Sequence, residues 1–287
     1  MDRKAVPAPL HADVAGPGRC RVPRTATPEP ANLPRVRALT WDGYRNVRDL
    51  GGLPTALSPT GVTVPRRVAR GPRREWLTAT GRADARAWGV RTVVDLRNAD
   101  EHAPWPGDPE VAGTAWDGVT VVHAPTEDPD HAEFREVCGP ILDSPLYWRH
   151  NGRLLPALLR RTLDGIGRAE PGVLVHCSAG RDRTGLVVAL LLAHAGVPPE
   201  HVAADWAESV RAMAGGHHRP EDRQSAWGDA EVEQFLAESV PVVEDVAGDV
   251  EQLLDVIGLD DDARARLRDL LTRDRSAGWD AAPARPA

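Results

Sequence analysis

One of the three cysteines in the 287-residue sequence, Cys177, stands where it could act as a nucleophile. The apolar residues 173–175 lead to His176 and Cys177, a short loop containing Gly180 follows, and a second apolar run begins after Arg183. This order predicts a buried strand, a tight loop and the N-terminus of a buried helix. Loop N–H groups and the helix dipole bind anions at such a place. They also stabilise a thiolate, so a thiol pKa there can fall from about 8.5 to roughly 3.5–7.5.

The residues that follow Cys177 suit phosphoryl transfer. The planar guanidinium of Arg183 can hold two phosphate oxygens at once, and it holds them better as charge develops during the transfer. Gly180 allows the loop to turn with a positive φ. Thr184 is expected either to offer its hydroxyl to the thiolate or to help cleave a phosphocysteine. Phosphate binding is predicted for the whole loop, namely Ser178, Ala179, Gly180, Arg181, Asp182 and Arg183.

The string His-Cys-x-x-Gly-x-x-Arg-Thr-Gly lies between a predicted strand and an apolar helix. It is a specific signal for a reactive cysteine, because a buried cysteine without a chemical role would not require these neighbours. It resembles the phosphate loop of the cysteine-dependent tyrosine phosphatases. With Arg181 and Asp182 inside the loop, it is most similar to the bacterial branch related to mycobacterial protein tyrosine phosphatase B. Residues 45–52 resemble the Asn-x-Arg-Asp-Leu-Gly-Gly segment of that branch. The resemblance implies hydrolysis of phosphotyrosine, in some members also of phosphoserine, phosphothreonine or phosphoinositides, with no cofactor or metal.

The proton donor of such a reaction is harder to assign. Asp182 is our first choice, because the resembling branch has aspartate there, although neighbouring arginines favour its ionised form and would suit a structural pairing instead. Asp95 lies near the end of the predicted strand over residues 90–97 and is either a bracing carboxylate or the acid. Asp108 follows Trp105, Pro106 and Gly107. This order has one residue more than the Trp-Pro-Asp loop that carries the general acid in other tyrosine phosphatases, so Asp108 is a less favoured candidate. The predicted catalytic set is Cys177, Arg183, Asp182, Thr184 and Asp95.

Two other classes of function remain open at this point. A catalytically silent module that binds phosphate or phospholipid would keep Arg183 without a reactive Cys177, and a rhodanese-like sulfurtransferase also uses a loop cysteine. The Arg183-Thr184-Gly185 ending disfavours the sulfurtransferase. Arg181 either adds a cation for doubly charged substrates such as phosphoinositides or balances Asp182.

The composition sets limits on partners and location. The chain has 42 acidic and 35 basic residues and a formal charge of −7, which argues against nucleic acid and anionic membranes as partners. The cysteines Cys20, Cys138 and Cys177 are too scattered for a disulfide framework or a zinc site. The longest apolar run, residues 186–195, is too short to span a bilayer. No apolar signal core stands at the N-terminus, so the expected location is the cytoplasm, with export without a signal peptide left open.

Strand and helix patterns alternate along the chain. They predict one α/β domain over residues 36–275, with three layers and a mainly parallel central sheet flanked by helices, between disordered tails at 1–35 and 276–287. An acidic, irregular segment at 128–143 is expected to form part of a lid. Further strands are predicted at residues 62–64, 67–70, 119–124 and 173–175. Helices are predicted at residues 78–88, 146–166 with a break at Pro156, 184–195, 200–213, 231–257 and 261–272.

Overall fold

The computed structural model describes residues 37–110, 116–215 and 226–274. Both predicted tails and Cys20 lie outside these residues. Within them the chain forms five strands: β1 Arg48–Asp49, β2 Val68–Gly71, β3 Thr92–Asp95, β4 Thr120–His123 and β5 Val173–His176. The same residues form nine α-helices: α1 Ala79–Trp88, α2 Ala132–Cys138, α3 Trp148–Leu154, α4 Pro156–Arg168, α5 Asp182–His194, α6 Pro199–Met213, α7 Asp229–Gly248, α8 Val250–Ile257 and α9 Asp261–Thr272.

The five strands form one sheet in the order β1-β2-β5-β3-β4. Strands β2, β5, β3 and β4 are parallel, and only the edge strand β1 is antiparallel to its neighbour. The register pairs Gly71 with His176, His176 with Asp95, and Asp95 with His123. All four parallel strands therefore end on one line across the sheet, and the loops that follow them start from the same edge.

Helices cover both faces of the sheet, which confirms the three-layer α/β prediction. One face carries Ala69, Val93 and Leu174, which pack in one cluster with Trp88 of α1 and with Trp41. The opposite face packs against the larger core formed by the later helices. Helix α5 lies in that core and is buried on all sides from Thr184 to Leu192, as expected for a helix whose residues are apolar all round.

Several local predictions are confirmed. The side chain of Thr78 caps α1 by accepting a hydrogen bond from the Gly81 N–H, and Gly89 ends that helix with φ 114°. The predicted helix over residues 146–166 is interrupted before Pro156, which gives α3 and α4. The Asp260 carboxylate caps α9 through the Ala263 N–H at 2.7 Å.

Three predictions about local structure are wrong. The segment 128–143 contains α2, because Phe134 and Cys138 lie four residues apart and share a buried face. The predicted helix over residues 231–257 is two helices, α7 and α8, separated by the non-helical Asp249. Residues 62–64 form only an isolated bridge between Val62 and Pro54. Prolines at 54 and 65 lack the N–H groups that a longer ladder would need.

Candidate active site

The loop between β5 and α5 presents unpaired backbone donors. In the described parts of the chain, no protein acceptor receives a hydrogen bond from the backbone N–H groups of residues 178–181. These groups stand at the N-terminus of α5, where the helix dipole is positive. Gly180 has φ 71°, and a Cβ at this position would lie 2.4 Å from the Gly71 carbonyl oxygen. Only glycine therefore fits this turn of the loop.

Carbonyl groups of the loop are held by the segment that resembles the Asn-x-Arg-Asp-Leu-Gly-Gly sequence and by the end of β2. The Asn46 side-chain amide donates to the carbonyls of Ala179 at 3.1 Å and Gly180 at 3.2 Å. The guanidinium of Arg70 also donates to the Gly180 carbonyl, at 2.7 Å, and the Arg73 N–H donates to the Ser178 carbonyl at 2.8 Å. Because C=O and N–H point in opposite directions in a trans peptide, these bonds turn the loop N–H groups away from the support.

Cys177 lies directly after β5 and is 2 % exposed. It belongs to the main core cluster, and the charges of Arg70 and Arg183 both interact electrostatically with its thiol group. His176 Nδ1 lies 3.0 Å from the Cys177 carbonyl oxygen. Burial lowers the pKa of His176 to about 4, so its imidazole is neutral at physiological pH. His176 thus fixes the loop without adding a charge.

Arg183 is held between two carboxylates that sequence reasoning did not single out. Both Glu101 oxygens accept hydrogen bonds from its two terminal nitrogens, with Nη2–Oε1 at 2.7 Å. Glu127 Oε2 lies 3.7 Å from Arg183 Nε. Burial of Arg183 works against its charge, but the two glutamates outweigh burial and raise its pKa well above the ordinary value. Glu101 accepts hydrogen bonds from only two of the five guanidinium N–H groups. Arg183 is therefore oriented, and its other N–H groups can bind a ligand.

Thr184 and Asp182 stand next to Arg183 in different surroundings. The Thr184 hydroxyl is fully buried and makes no hydrogen bond within the described residues, so it can serve a thiolate or a phosphoryl oxygen. Asp182 forms a two-point ion pair with Arg181, with Nε–Oδ1 at 2.8 Å and Nη2–Oδ2 at 3.0 Å. Arg181 therefore pairs with Asp182 in this structure.

Asp95 and Asp108 have structural partners. Both oxygens of the fully buried Asp95 accept hydrogen bonds from Arg97, at 2.9 and 2.7 Å. Burial opposes ionisation, but the bonds from Arg97 lower the pKa of Asp95 well below its usual range. An aspartate held ionised in this way cannot donate a proton, so bracing is the role that fits Asp95. Asp108 accepts hydrogen bonds from the Trp105 N–H at 2.7 Å and from Arg73 at 2.9 Å, which closes its own turn.

Asp95 also lies beside His102 and His123, and one ligand atom from each falls within 4.8 Å of the others. Aspartate and histidine are common metal ligands. The positive guanidinium of Arg97 already occupies both Asp95 oxygens, however, and a cation bound there would meet that charge at close range. We therefore assign no metal to this group.

Behind the loop, Asp205 of α6 is a further residue that sequence reasoning missed. Its buried carboxylate pairs with Arg37, with Arg48 at 2.8 Å and with Arg70 at 2.6 Å. Arg48 in turn donates to the side-chain oxygen of Asn46 at 2.8 Å. Burial opposes the charge of Asp205, but the three arginines outweigh it and lower its pKa well below the usual range. Asp205 thus supports the two side chains that hold the Gly180 carbonyl.

Three comparisons with known proteins show what the chain resembles. The sequence profile of the "Tyrosine phosphatase family" matches residues 39–273. The chain is 30 % identical over 192 residues to the triple specificity protein phosphatase PtpB of Mycobacterium tuberculosis, across 58 % of this chain and 67 % of that protein. It is 32 % identical over 142 residues to a tyrosine-protein phosphatase of Nostoc commune, across 48 % of this chain and 47 % of that protein. The solved structure of Pseudomonas aeruginosa TpbA with pTyr shares 18 % identity, covers 67 % of this chain and 86 % of its own, and has a TM-score of 0.32.

The chain therefore belongs to the tyrosine phosphatase family. The resemblance seen in the phosphate loop is confirmed, and so is the prediction of a protein-tyrosine phosphatase that acts on phosphorylated substrates. Neither the silent binding module nor the sulfurtransferase is supported. Among the described residues, none of the helices has the length and hydropathy needed to cross a membrane.

Proposed function

We propose that this phosphatase works through a phosphocysteine formed on Cys177. The Cys177 thiolate attacks phosphorus in line with the ester oxygen, so that an S–P bond forms and the P–O bond to the alcohol breaks. A carboxyl group protonates the leaving oxygen. Water then attacks phosphorus, the S–P bond breaks, and inorganic phosphate leaves as the thiolate is restored.

The loop is suited to stabilise the charge that moves in both steps. The unpaired N–H groups of residues 178–181 are already oriented and can donate to the equatorial oxygens of the phosphoryl group. Arg183, oriented by the two hydrogen bonds that it donates to Glu101, can bind the same oxygens with its remaining N–H groups. Thr184 can donate its buried hydroxyl to the thiolate that leaves in the second step. The row of unpaired donors beside Cys177 is the observation that carries the mechanism.

We propose phosphotyrosine as the main substrate, with phosphoserine and phosphothreonine as secondary substrates. The name of the M. tuberculosis relative, a triple specificity phosphatase, supports this wider range. Hydrolysis of phosphoinositides is a less favoured addition to this substrate range. It would need Arg181 to bind the additional phosphate charge, and the guanidinium of Arg181 is already paired with Asp182. The cytoplasm is the proposed location.

A phosphate-release panel tests the proposed function. We expect the purified protein to release phosphate from a phosphotyrosyl peptide, more slowly from phosphoseryl and phosphothreonyl peptides, and at rates that a chelator does not change. Vanadate, which forms a five-coordinate adduct with a thiolate, should inhibit competitively. Absence of release from every substrate, or dependence on an added metal ion, would contradict the mechanism.

Replacing Arg183 by lysine should lower kcat about 10²-fold, because the ammonium keeps the charge but loses the planar fork that binds two oxygens. The measurement is steady-state hydrolysis of a phosphotyrosyl peptide. Arg91→Lys is the matched control, since Arg91 forms an exposed ion pair with Glu170 at 3.1 Å, and it should behave as the wild type. Equal activity of Arg183→Lys and the wild type would remove Arg183 from the transition state.

A further inference from the structure

We infer that Glu127 is the proton donor to the leaving group, while Glu101 holds Arg183 in place. This inference rests on the proposed function and assigns the one step that the loop residues leave open. It also replaces Asp182, the first choice from the sequence.

Glu127 lies at the same edge of the sheet as the phosphate loop, next to Arg183. It follows β4 by four residues, so it stands at the edge of the sheet where the parallel strands end. Its side chain is 14 % exposed, and Oε2 lies 3.7 Å from Nε of Arg183. The segment is anchored, because the fully buried Asn151 donates to the Thr126 carbonyl at 2.8 Å. Glu127 therefore borders the guanidinium that binds the phosphoryl oxygens, on the side that Glu101 leaves open.

The two glutamates differ in how well Arg183 neutralises them. Glu101 accepts two hydrogen bonds from Arg183 and one from the Asn98 N–H at 2.9 Å. Burial alone would raise the pKa of Glu101, but the bonds and charge of Arg183 lower it instead. For Glu127, burial dominates and raises the pKa despite the charge of Arg183. One carboxyl group with a lowered pKa thus lies beside one with a raised pKa, which is how paired carboxyl groups divide structural and acid roles.

Other charged groups reinforce this difference. Glu101 and Asp182 both face Glu127 and repel a negative charge on it, and the Tyr147 side chain adjoins it from the segment before α3. Tyr147 has a pKa raised well above the ordinary value, chiefly by burial, so its hydroxyl stays neutral. The thiol of Cys138 in α2 also lies near Glu127. Burial and, to a smaller extent, the charge of Glu127 raise the pKa of that thiol. Arg183 and the Tyr147 hydroxyl favour the ionised form of Glu127, but burial outweighs them and its pKa is raised.

The step balances without another reactant. The Glu127 carboxyl group gives its proton to the ester oxygen as the P–O bond breaks, and that oxygen takes the bonding electron pair and leaves as the free alcohol. The resulting carboxylate accepts a proton from the water that attacks the phosphocysteine. Glu127 is then protonated again for the next substrate.

Neighbouring carboxylates fit the role less well. Asp182 is bound to Arg181 at two points, so both of its carboxylate oxygens are already engaged. Asp128, the next residue after Glu127, accepts a hydrogen bond from the Asp130 N–H at 2.9 Å within its own exposed turn. These two residues provide matched controls, because each carries a carboxyl group of similar reach in the same part of the molecule.

The test compares two leaving groups in four variants. Glu127→Gln should lower kcat about 10²-fold on a phosphotyrosyl peptide, whose phenol is a poor leaving group, and less than about tenfold on 4-nitrophenyl phosphate, whose phenolate leaves readily. Glu127→Asp keeps a carboxyl group and should restore part of the lost rate. Asp128→Asn and Asp182→Asn should show no such difference between the two substrates. Thermal melting of each variant reports whether it folds.

The pH dependence of kcat gives a second readout. The donor must carry its proton, so the wild-type rate should fall as pH rises through the pKa of Glu127, which lies above the ordinary glutamate value of about 4.3. Glu127→Gln should lack this alkaline limb. If Asp128→Asn or Asp182→Asn alone shows the difference between leaving groups, or Glu127→Gln slows both substrates equally, the assignment to Glu127 is overturned while the phosphatase mechanism stands. A wild-type protein without turnover would instead contradict the proposed function.

Discussion

Cys177→Ser is expected to lower kcat on phosphotyrosyl peptides by roughly 10⁵-fold, the size of loss seen when a nucleophile is removed from a catalytic group that acts as a unit. A serine hydroxyl ionises far less readily than a thiol, and the loop N–H groups cannot close that gap at neutral pH. The donors of residues 178–181 and Arg183 stay in place, so the variant should still bind the peptide. Steady-state kinetics and isothermal titration calorimetry with the same phosphotyrosyl peptide measure the two effects.

Cys138 supplies the control for this experiment. It is also buried, at the end of α2, and burial raises the pKa of its thiol to about 11. Such a thiol is not a nucleophile at neutral pH, so Cys138→Ser should keep phosphatase turnover even if its melting temperature falls. A Cys177→Ser protein that hydrolyses the peptide at a rate near that of the wild type would rule out the phosphocysteine. Loss of both binding and turnover would point to a collapsed loop.

The centre of the molecule could be predicted from the sequence because its signals are local. β5, the loop and α5 follow one another directly, and the apolar runs on either side of Cys177 mark the strand and the helix. The cap at Thr78 and the break at Pro156 are also encoded within a few residues. By contrast, α2 lies in an acidic stretch whose composition predicts irregular structure. Its short amphipathic pattern, with Phe134 and Cys138 four residues apart, is too weak a signal to override that prediction.

The side chains that support the loop could not be predicted from the sequence for a different reason. Asp205 meets Arg70, Arg48 and Arg37 across separations of 135 to 168 residues, and nothing in the sequence specifies such pairs. The available signal was an acidic residue within the buried stripe of α6, since Asp205 stands among the buried Val202, Trp206 and Ser209. A charged residue in such a stripe indicates a buried partner without identifying it.

The glutamates around Arg183 show the same limit at the site itself. Glu101 reaches Arg183 from 82 residues away, and it also accepts a hydrogen bond from the Asn98 N–H, like an ordinary helix-capping residue. The resemblance to the phosphatase branch predicted that the proton donor is Asp182, within the loop. The fold offers a second choice, at Glu127, because β3 and β4 end at the same edge and bring their following segments to one guanidinium.

Asp205→Ala is expected to lower the free energy of unfolding by about 3–5 kcal/mol, because three buried arginines lose the carboxylate that neutralises them. Urea denaturation at neutral pH measures the loss. Asp245→Ala is the matched control: Asp245 pairs with Arg149 at 2.6 Å on the surface, and exposed pairs contribute about 0–1 kcal/mol. Equal effects of the two substitutions would show that Asp205 is not the centre of the network.

The folded-state pKa of Asp205 lies well below its value in the unfolded chain, which fixes the sign of a pH effect. Its contribution to stability is present above the unfolded pKa of about 3.9 and is lost as pH falls toward the folded pKa. Asp205→Ala should therefore lose less stability than the wild type when the pH is lowered from about 5 to 3. Because Arg70 and Asn46 depend on this carboxylate to hold the Gly180 carbonyl, kcat should also fall at temperatures where the variant remains folded. Full activity in a folded Asp205→Ala protein would mean that the loop keeps its shape without this support.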